Sequence, residues 1–206
     1  MGNADYKDYS KRTLLDEINI KINSIDIVRT SRINASKRLY GYSEKWDLIS
    51  LIMNVMSIGF VVVSLLPLDI NKNNVLLSIS AIFSLYTILI QYFLSNLNYN
   101  ERALKFHYHQ IQLENFVLQL KMLLLDNSLE EFKKFTEYKN IMSRYQISLE
   151  GYENHSEIDY KKAKSSREMA DSIRDFSWDN IFLYVQFPIL ITIIIVFGCV
   201  IAGGGK

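Results

Sequence analysis

The sequence has little cysteine, proline or glycine, and each scarcity argues against a class of protein. Its 206 residues include one cysteine, two prolines and eight glycines. The lone thiol, Cys199, cannot form a disulfide framework or a thiolate metal cluster, and we expect it to be buried. Few prolines and glycines among 13 tyrosines and 11 phenylalanines are typical of long helices. A formal net charge of +1 argues against bulk attraction to nucleic acid, so we expect no direct nucleic-acid binding.

Charge is absent from three long stretches of the chain. Residues 48–68, 75–97 and 181–202 contain no Asp, Glu, Lys or Arg, so all 45 charges lie in the other 140 residues. Each stretch is close to the roughly 20 apolar residues that span about 30 Å of hydrocarbon. The pattern excludes a simple soluble domain and predicts three transmembrane helices that bind a lipid bilayer.

The segments around these stretches are also predicted to be helical. In residues 1–47, apolar side chains recur at helical spacing, as in an amphipathic helix; they are Leu14, Ile18, Ile22, Ile25 and Val28. Ser128 with Glu131 and Ser156 with Asp159 predict capping boxes that open later helices. We expect Gly151 to end the first of these, and the second to run through Phe176 into the third span.

The predicted fold is an all-α integral membrane protein with five segments. They are an N-terminal cytoplasmic amphipathic helix over 1–47, a transmembrane hairpin over 48–97 with a polar turn at 69–74, a cytoplasmic helical and coiled-coil bundle over 98–180, a third transmembrane helix over 181–202, and a tail over 203–206. We give the tail, either natural or a scar, no functional weight.

Positive charge predicts the orientation in the membrane. Nine Lys or Arg lie in residues 1–47 and twelve in 98–180, whereas the hairpin loop has Lys72 alone and the C-terminus Lys206 alone. The positive-inside rule therefore places the N-terminus and the middle segment in the cytoplasm and the C-terminus outside or in the periplasm. Tyr42 and Trp46, just before the first span, suit an aromatic belt at the membrane interface.

Residues 104–125 carry two apolar seams on one helix. The first alternates by four and three, as in a heptad repeat; its members are Leu104, Tyr108, Ile111, Asn115, Leu118, Met122 and Leu125. The second contains Phe106, Leu113, Val117, Leu120 and Leu124. Asn115 either fixes the register and subunit number of a homo-oligomer or is capped by neighbours in a monomeric bundle.

Polar residues inside the first two spans fall on one face of each helix. Those faces contain Ser50, Asn54, Ser57 and Ser64 in the first span, and Ser80, Ser84, Thr87 and Gln91 in the second. Polar groups in lipid are costly unless partnered, so both stripes should face protein or water. They either pack the helices together or line a polar pore around a shared axis, and the two alternatives are not exclusive.

The chain contains no recognisable catalytic or metal-binding motif. It has no Gly-rich phosphate loop, serine elbow or His-Glu-x-x-His pattern. His107 and His109 lie roughly 200° apart around a helix, so they cannot chelate one metal from the same face. We therefore predict a protein that is not an enzyme and has no cofactor and no metal.

Two motifs and their order along the chain resemble a known family. The amphipathic helix carries RTSRINASKRL over residues 29–39, followed by Trp46 and the two-span hairpin, and the cytoplasmic segment carries Leu149-x-x-Tyr152-x-Asn154-His155-Ser156-x-x-Asp159. From about residue 12 to 178 the chain resembles the SLATT family of bacterial two-transmembrane effector domains. That family occurs with nucleotidyltransferase, nucleotide-sensing or reverse-transcriptase partners in anti-phage conflict systems. The third apolar run departs from its two-span plan.

The resemblance implies a function, a location and partners. It implies an effector that permeabilises or depolarises the bacterial inner membrane when such a partner senses phage infection, giving abortive-infection defence. The alternative is a non-conducting anchor or scaffold that recruits a soluble defence enzyme. We expect a homo-oligomer and guess a tetramer. The resemblance also marks five positions that we expect to make polar contacts between cytoplasmic helices: Arg32, Arg38, Asn154, His155 and Asp159.

Overall fold

A computed structural model describes residues 12–67, 70–165 and 167–203. Every regular element in these ranges is an α-helix; they are α1 (Leu14–Ser64), α2 (Ile70–Leu97), α3 (Tyr99–Leu125), α4 (Glu131–Leu149), α5 (Glu157–Lys164), α6 (Arg167–Ser172) and α7 (Trp178–Ala202). Three helical segments are long and apolar enough to cross a membrane: Leu14–Ser64, Ile70–Leu125 and Trp178–Ala202. The predicted all-α membrane protein is confirmed.

The first helix is much longer than its charge-free stretch. It opens at a capping box, in which the Thr13 backbone N–H and hydroxyl donate to the Asp16 carboxylate at 3.1 and 2.7 Å. These hydrogen bonds lower the pKa of Asp16 from its usual value. The helix ends at Ser64 and α2 begins at Ile70. Most of the predicted polar turn is therefore the first turn of α2, because residues 70–74 include no helix breaker; Asp69 lies outside the described residues.

The chain clusters into two compact units, and α1 contributes to both. The first unit comprises the residues up to Arg38 together with Arg102–Arg174. Its core takes one face from each of α1, α3 and α4; the buried residues are Ile18, Ile25, Leu113, Val117, Leu120, Leu123, Ile141 and Tyr145. Full burial of such a side chain stabilises the fold by about 1.5–3 kcal/mol. The amphipathic face predicted for α1 and the second α3 seam thus supply much of this core.

The second unit comprises Leu39–Glu101 and Asp175–Lys206 and is held by aromatic contacts. The ring of Phe60 stacks on that of Phe197 at 4.2 Å between centroids and meets Phe83 edge-on at 5.3 Å. Tyr42 and Trp46 are 3% and 2% exposed, and Trp46 lies 5.4 Å from Phe182.

Two sequence-based expectations about this unit are wrong. Tyr42 and Trp46 do not form an exposed aromatic belt, because they pack against other rings inside the unit. Cys199 is exposed rather than buried, since it lies on a face of α7 that no described helix covers. A thiol probe placed elsewhere in the chain therefore requires that Cys199 be replaced first.

Several helix ends differ from the prediction. Glu130 rather than Ser128 precedes α4, because the Ser128 hydroxyl donates to the nearby Asp126 carboxylate at 2.6 Å. The single helix expected from Ser156 onward is broken into α5, α6 and α7, and Ser177 caps α7 by accepting from the Asn180 N–H at 3.4 Å. Asn98, with φ +47°, separates α2 from α3; asparagine tolerates this left-handed conformation better than most residues.

Helix α4 ends at Leu149, two residues before the glycine predicted to stop it, and Gly151 gives a test. Gly151 has φ +77°, a conformation that costs an L-residue about 1–2 kcal/mol. Gly151→Ala should lower the apparent melting temperature of the detergent-solubilised protein. The matched control, Gly41→Ala, places a methyl group in open space within α1 and should leave the melting temperature unchanged or raise it, because alanine favours helix. Equal effects of the two substitutions would contradict this explanation.

Candidate functional site

The polar stripes of the first two spans face each other within the second unit. The Gln91 side-chain amide donates to the Asn54 side-chain oxygen at 3.0 Å. The hydroxyl oxygens of Ser57 and Ser84 lie 2.6 Å apart. These two contacts join α1 to α2 inside stretches that carry no charge.

Three other stripe residues are buried and satisfied by their own helix. Ser64 donates to the Val61 carbonyl at 2.7 Å. Ser80 and Thr87 donate to carbonyls one turn earlier in α2, at 2.7 and 3.0 Å. Because they are buried with their hydroxyls used locally, helix packing is favoured over pore lining for these three residues.

The remaining part of the stripe opens to the outside of the chain. Asn54 is exposed, and Gln91 and Ser50 are half-buried. Ser50 and Gln91 line a cleft of about 470 Å³; its other lining residues include Ser43, Asp47, Ser95, Asn98 and Glu101. The amide pair therefore adjoins a polar cleft whose wall carries two carboxylates.

The third span adds a polar contact that sequence reasoning missed. The Tyr86 hydroxyl donates to the Gln186 side-chain oxygen at 2.6 Å, and the Gln186 amide donates to the Phe182 carbonyl at 3.2 Å. Gln186 is only 1% exposed. The single amide of Gln186 in an aliphatic run indicates that this side chain needs a hydrogen-bond partner. The sequence does not reveal which residue of α2 faces it, so Tyr86 could not be identified.

In the first unit, the segment that resembles the family motif is joined to α1 by a buried ion pair. The Arg38 guanidinium donates to both oxygens of Asp159, from Nε at 3.1 Å and from Nη2 at 3.0 Å. Asp159 is 1% exposed, and its carboxylate also accepts from the Ser156 backbone N–H at 3.2 Å. The capping box predicted for α5 is confirmed. Asn34 adds a bond to the Asp159 carbonyl at 3.2 Å.

The other three motif positions have different surroundings. Arg32 is 3% exposed, donates to the Glu153 carbonyl, and lies 5.0 Å from the centre of the Phe106 ring. His155 is half-buried, and burial, followed by the charge of Arg32, lowers its pKa. Asn154 is exposed. The structure thus brings Arg32, Arg38 and Asp159 into contacts between α1 and the motif segment, but leaves Asn154 on the surface.

A buried histidine next to these contacts was considered in the sequence only as a possible metal ligand. His109 is fully buried and stacks on the Tyr152 ring at 4.0 Å with an interplanar angle of 5°. Neither ring nitrogen has a hydrogen-bond partner among the described residues. Burial, and then the nearby charge of Arg32, lower the pKa of His109 to about 4. The neutral ring is therefore the form that the folded protein holds near pH 7.

The described residues contain no group of three or more His, Cys, Asp or Glu side chains that could hold a metal ion. Asn115, the residue with two open interpretations, is exposed on α3. It borders a groove of about 520 Å³ that is also lined by Phe116, Arg144 and Tyr152.

Substitution at the Arg38–Asp159 pair tests how the motif segment, residues 149–159, is held against α1. Asp159→Asn keeps the size of the side chain but removes the buried negative charge that accepts from Arg38 at two oxygens, which should destabilise the protein by about 3 kcal/mol. Glu157→Gln is the control on the same helix, because Glu157 pairs with Lys161 on an exposed surface and its loss should not measurably change stability. Thermal melts in detergent would measure both, and similar shifts would contradict the assigned role.

His109 predicts a specific dependence of stability on pH. Its pKa is about 6.5 in the unfolded chain and about 4 in the folded protein, so the unfolded state binds the proton first as the pH falls. Its contribution to stability is complete above pH 6.5 and declines between pH 6.5 and 4, by about 3 kcal/mol in total. In His109→Leu this part of the decline should disappear, whereas replacement of the exposed His107 by leucine should preserve it. Melting temperatures that fall equally in both variants would refute the assignment.

Comparison with known proteins supplies the family. The chain matches the family model described as SMODS and SLOG-associating 2TM effector domain family 5 over residues 14–203. No curated protein matches the chain, and no solved structure matches it. The family consists of membrane effectors of conflict systems and is not a known enzyme family. Its description counts two transmembrane segments, whereas three helical segments of this chain are long and apolar enough to span. The predicted membership is thus confirmed, and the chain belongs to the SMODS and SLOG-associating 2TM effector domain family, SLATT.

Proposed function

We propose that the protein is an oligomeric effector that permeabilises, and so depolarises, the bacterial inner membrane when a partner senses phage infection. Membership of a family of membrane effectors follows from the match over residues 14–203. What we propose beyond family membership is the path for water and ions, the location in the inner membrane and the partner that senses infection.

The Asn54–Gln91 amide pair is the observation that carries the proposal. Asn54 lies at the surface of the single chain, next to exposed apolar residues such as Val55 and Ile58. Among the described residues, the bond to Gln91 is the only hydrogen bond of the Asn54 side chain, so both of its N–H donors stay available. Unpaired donors in hydrocarbon cost several kcal/mol. The pair therefore favours a position against water or another subunit over one against lipid.

The cleft beside the pair extends this polar surface. Between Ser50 and Gln91 in the spans and Asp47 and Glu101 at their ends, hydroxyl, amide and carboxylate side chains line it together with Trp46 and Leu94. Carboxylates at the mouth of a pore attract cations and repel anions. A ring of copies with these clefts facing a common axis would form a path selective for cations, and passage of cations would collapse the membrane potential.

Activation is proposed to act through the first unit. By the positive-inside rule, the basic segments favour a cytoplasmic position for the N-terminus and residues 98–180, where a nucleotidyltransferase, nucleotide-sensing protein or reverse transcriptase would be accessible. A partner that binds the open arrangement better than the closed one shifts the balance by that difference in affinity. The conversion requires no chemistry by this chain.

The proposal predicts the behaviour of a double variant. Asn54→Leu with Gln91→Leu removes both amides of the pair and should reduce membrane depolarisation about tenfold or more, because ions would meet an apolar constriction. Thr192→Val is the matched control, since Thr192 is a polar residue of α7 whose hydroxyl bonds to the Pro188 carbonyl of its own helix. A potential-sensitive dye in cells, and dye release from vesicles with the purified protein, would measure the effect.

Two results would contradict the proposal. One is depolarisation by the double variant at the level of the unmodified protein. The other is a defence phenotype that remains complete while the membrane potential stays unchanged. The second result would favour the alternative function, a non-conducting anchor that recruits a soluble defence enzyme.

A further inference from the structure

Helix α3 is apolar on two opposite faces, and only one of them is buried among the residues that the structure describes. The inner face, including Leu113, Val117 and Leu120, is buried in the core of the first unit. The outer face lies roughly 180° around the helix. Its large apolar residues are Leu104 (39% exposed), Tyr108 (56%), Ile111 (42%), Leu118 (50%), Met122 (70%) and Leu125 (76%).

The outer face is a continuous strip rather than scattered single residues. From Leu104 to Leu125 it extends about 32 Å along the helix. Exposed apolar side chains are ordinary when isolated, but a contiguous patch indicates an interaction site. The unused face therefore requires an explanation that core packing does not supply.

We propose that the outer face of α3 pairs with the same face of a second copy of this chain, with the two helices parallel. The strip alternates by four and three residues throughout, which is the spacing of a coiled-coil seam. Asn115 is its one polar member and is exposed. In a parallel pair Asn115 faces its own counterpart, where an asparagine amide can bond to its symmetry mate and fix the register. A seam of this kind is complementary to itself, so a second copy is the occupant it fits best.

The flanking charges also favour the parallel arrangement. In a parallel pair, Lys121 on the edge of one seam comes near Asp126, the residue that follows the end of α3 in the other copy. An antiparallel pair would not bring these two positions together. Opposite charges beside a seam favour the partner and the orientation that pair them.

This inference deepens the proposed function, since it names the contact that would hold copies of the effector together. It does not depend on ion flow. A test that reads the distance between two α3 helices can fail while depolarisation is observed, and it can succeed in a protein that conducts nothing. The two proposals are therefore separable by experiment.

Disulfide cross-linking of the full chain in isolated membranes tests the contact. In a Cys199→Ser background, Leu118→Cys places one thiol at a seam position, where parallel helices bring the two sulfur atoms within bonding reach. Mild oxidation should convert most of the protein to a covalent dimer. Lys139→Cys, on the exposed side of α4, is the matched control and should remain monomeric under the same conditions.

A second substitution separates a specific seam from chance collision. Adding Met122→Glu should reduce the cross-linked fraction about tenfold, because two opposed carboxylates would have to lose water within an apolar seam. Met122 is 70% exposed, so this change leaves the core of the unit intact. Adding Phe132→Glu, at an equally exposed apolar residue of α4, should change nothing. The proposal is overturned if Leu118→Cys stays monomeric, if Lys139→Cys cross-links equally well, or if Met122→Glu has no more effect than Phe132→Glu.

Discussion

A polar side chain inside a bilayer needs a partner, and this constraint determines how the second unit is built. Its buried hydroxyls, such as Ser80 and Thr87, bond to carbonyls of their own helix. Tyr86 and Gln186 satisfy each other between α2 and α7. Asn54 and Gln91 are different, because their single mutual bond leaves part of each amide unused at the surface of the chain. The proposed function rests on these unused amide groups.

The first unit likewise satisfies the charge that it buries. Its buried carboxylate, Asp159, is held by Arg38 in a bidentate pair, which is the geometry that compensates desolvation most completely. On α3, in contrast, one apolar face is buried and the opposite apolar face is exposed. The second unit thus presents amide groups with unused hydrogen-bonding capacity, and the first unit presents an exposed apolar strip. Association of copies of the chain would provide a partner for both surfaces.

The parts of the structure that could be predicted are those decided by local pattern. Three charge-free stretches, the amphipathic face of α1, the break at Gly151 and the Ser156–Asp159 capping box each depend on residues close in sequence. The choice between the two α3 seams could not be predicted, because both are apolar and only packing against α1 and α4 selects one. Tyr42 and Trp46 were misplaced for the same reason: an amphipathic ring suits an interface or an interior, and tertiary contacts decide. His109 gave no signal, since nothing local indicates that Tyr152 will cover its ring.

Water access at Asn54 is the measurement that tests the central claim most directly. Asn54→Cys in a Cys199→Ser background places one thiol at the exposed amide, and Ile52→Cys places one at an exposed apolar residue on roughly the opposite side of α1. Both are treated, in activated cells, with a charged thiol reagent that reacts only with the hydrated thiolate. Labelling at position 54 should increase on activation, and position 52 should show little labelling. Equal protection of both positions in cells that have lost their membrane potential would contradict it.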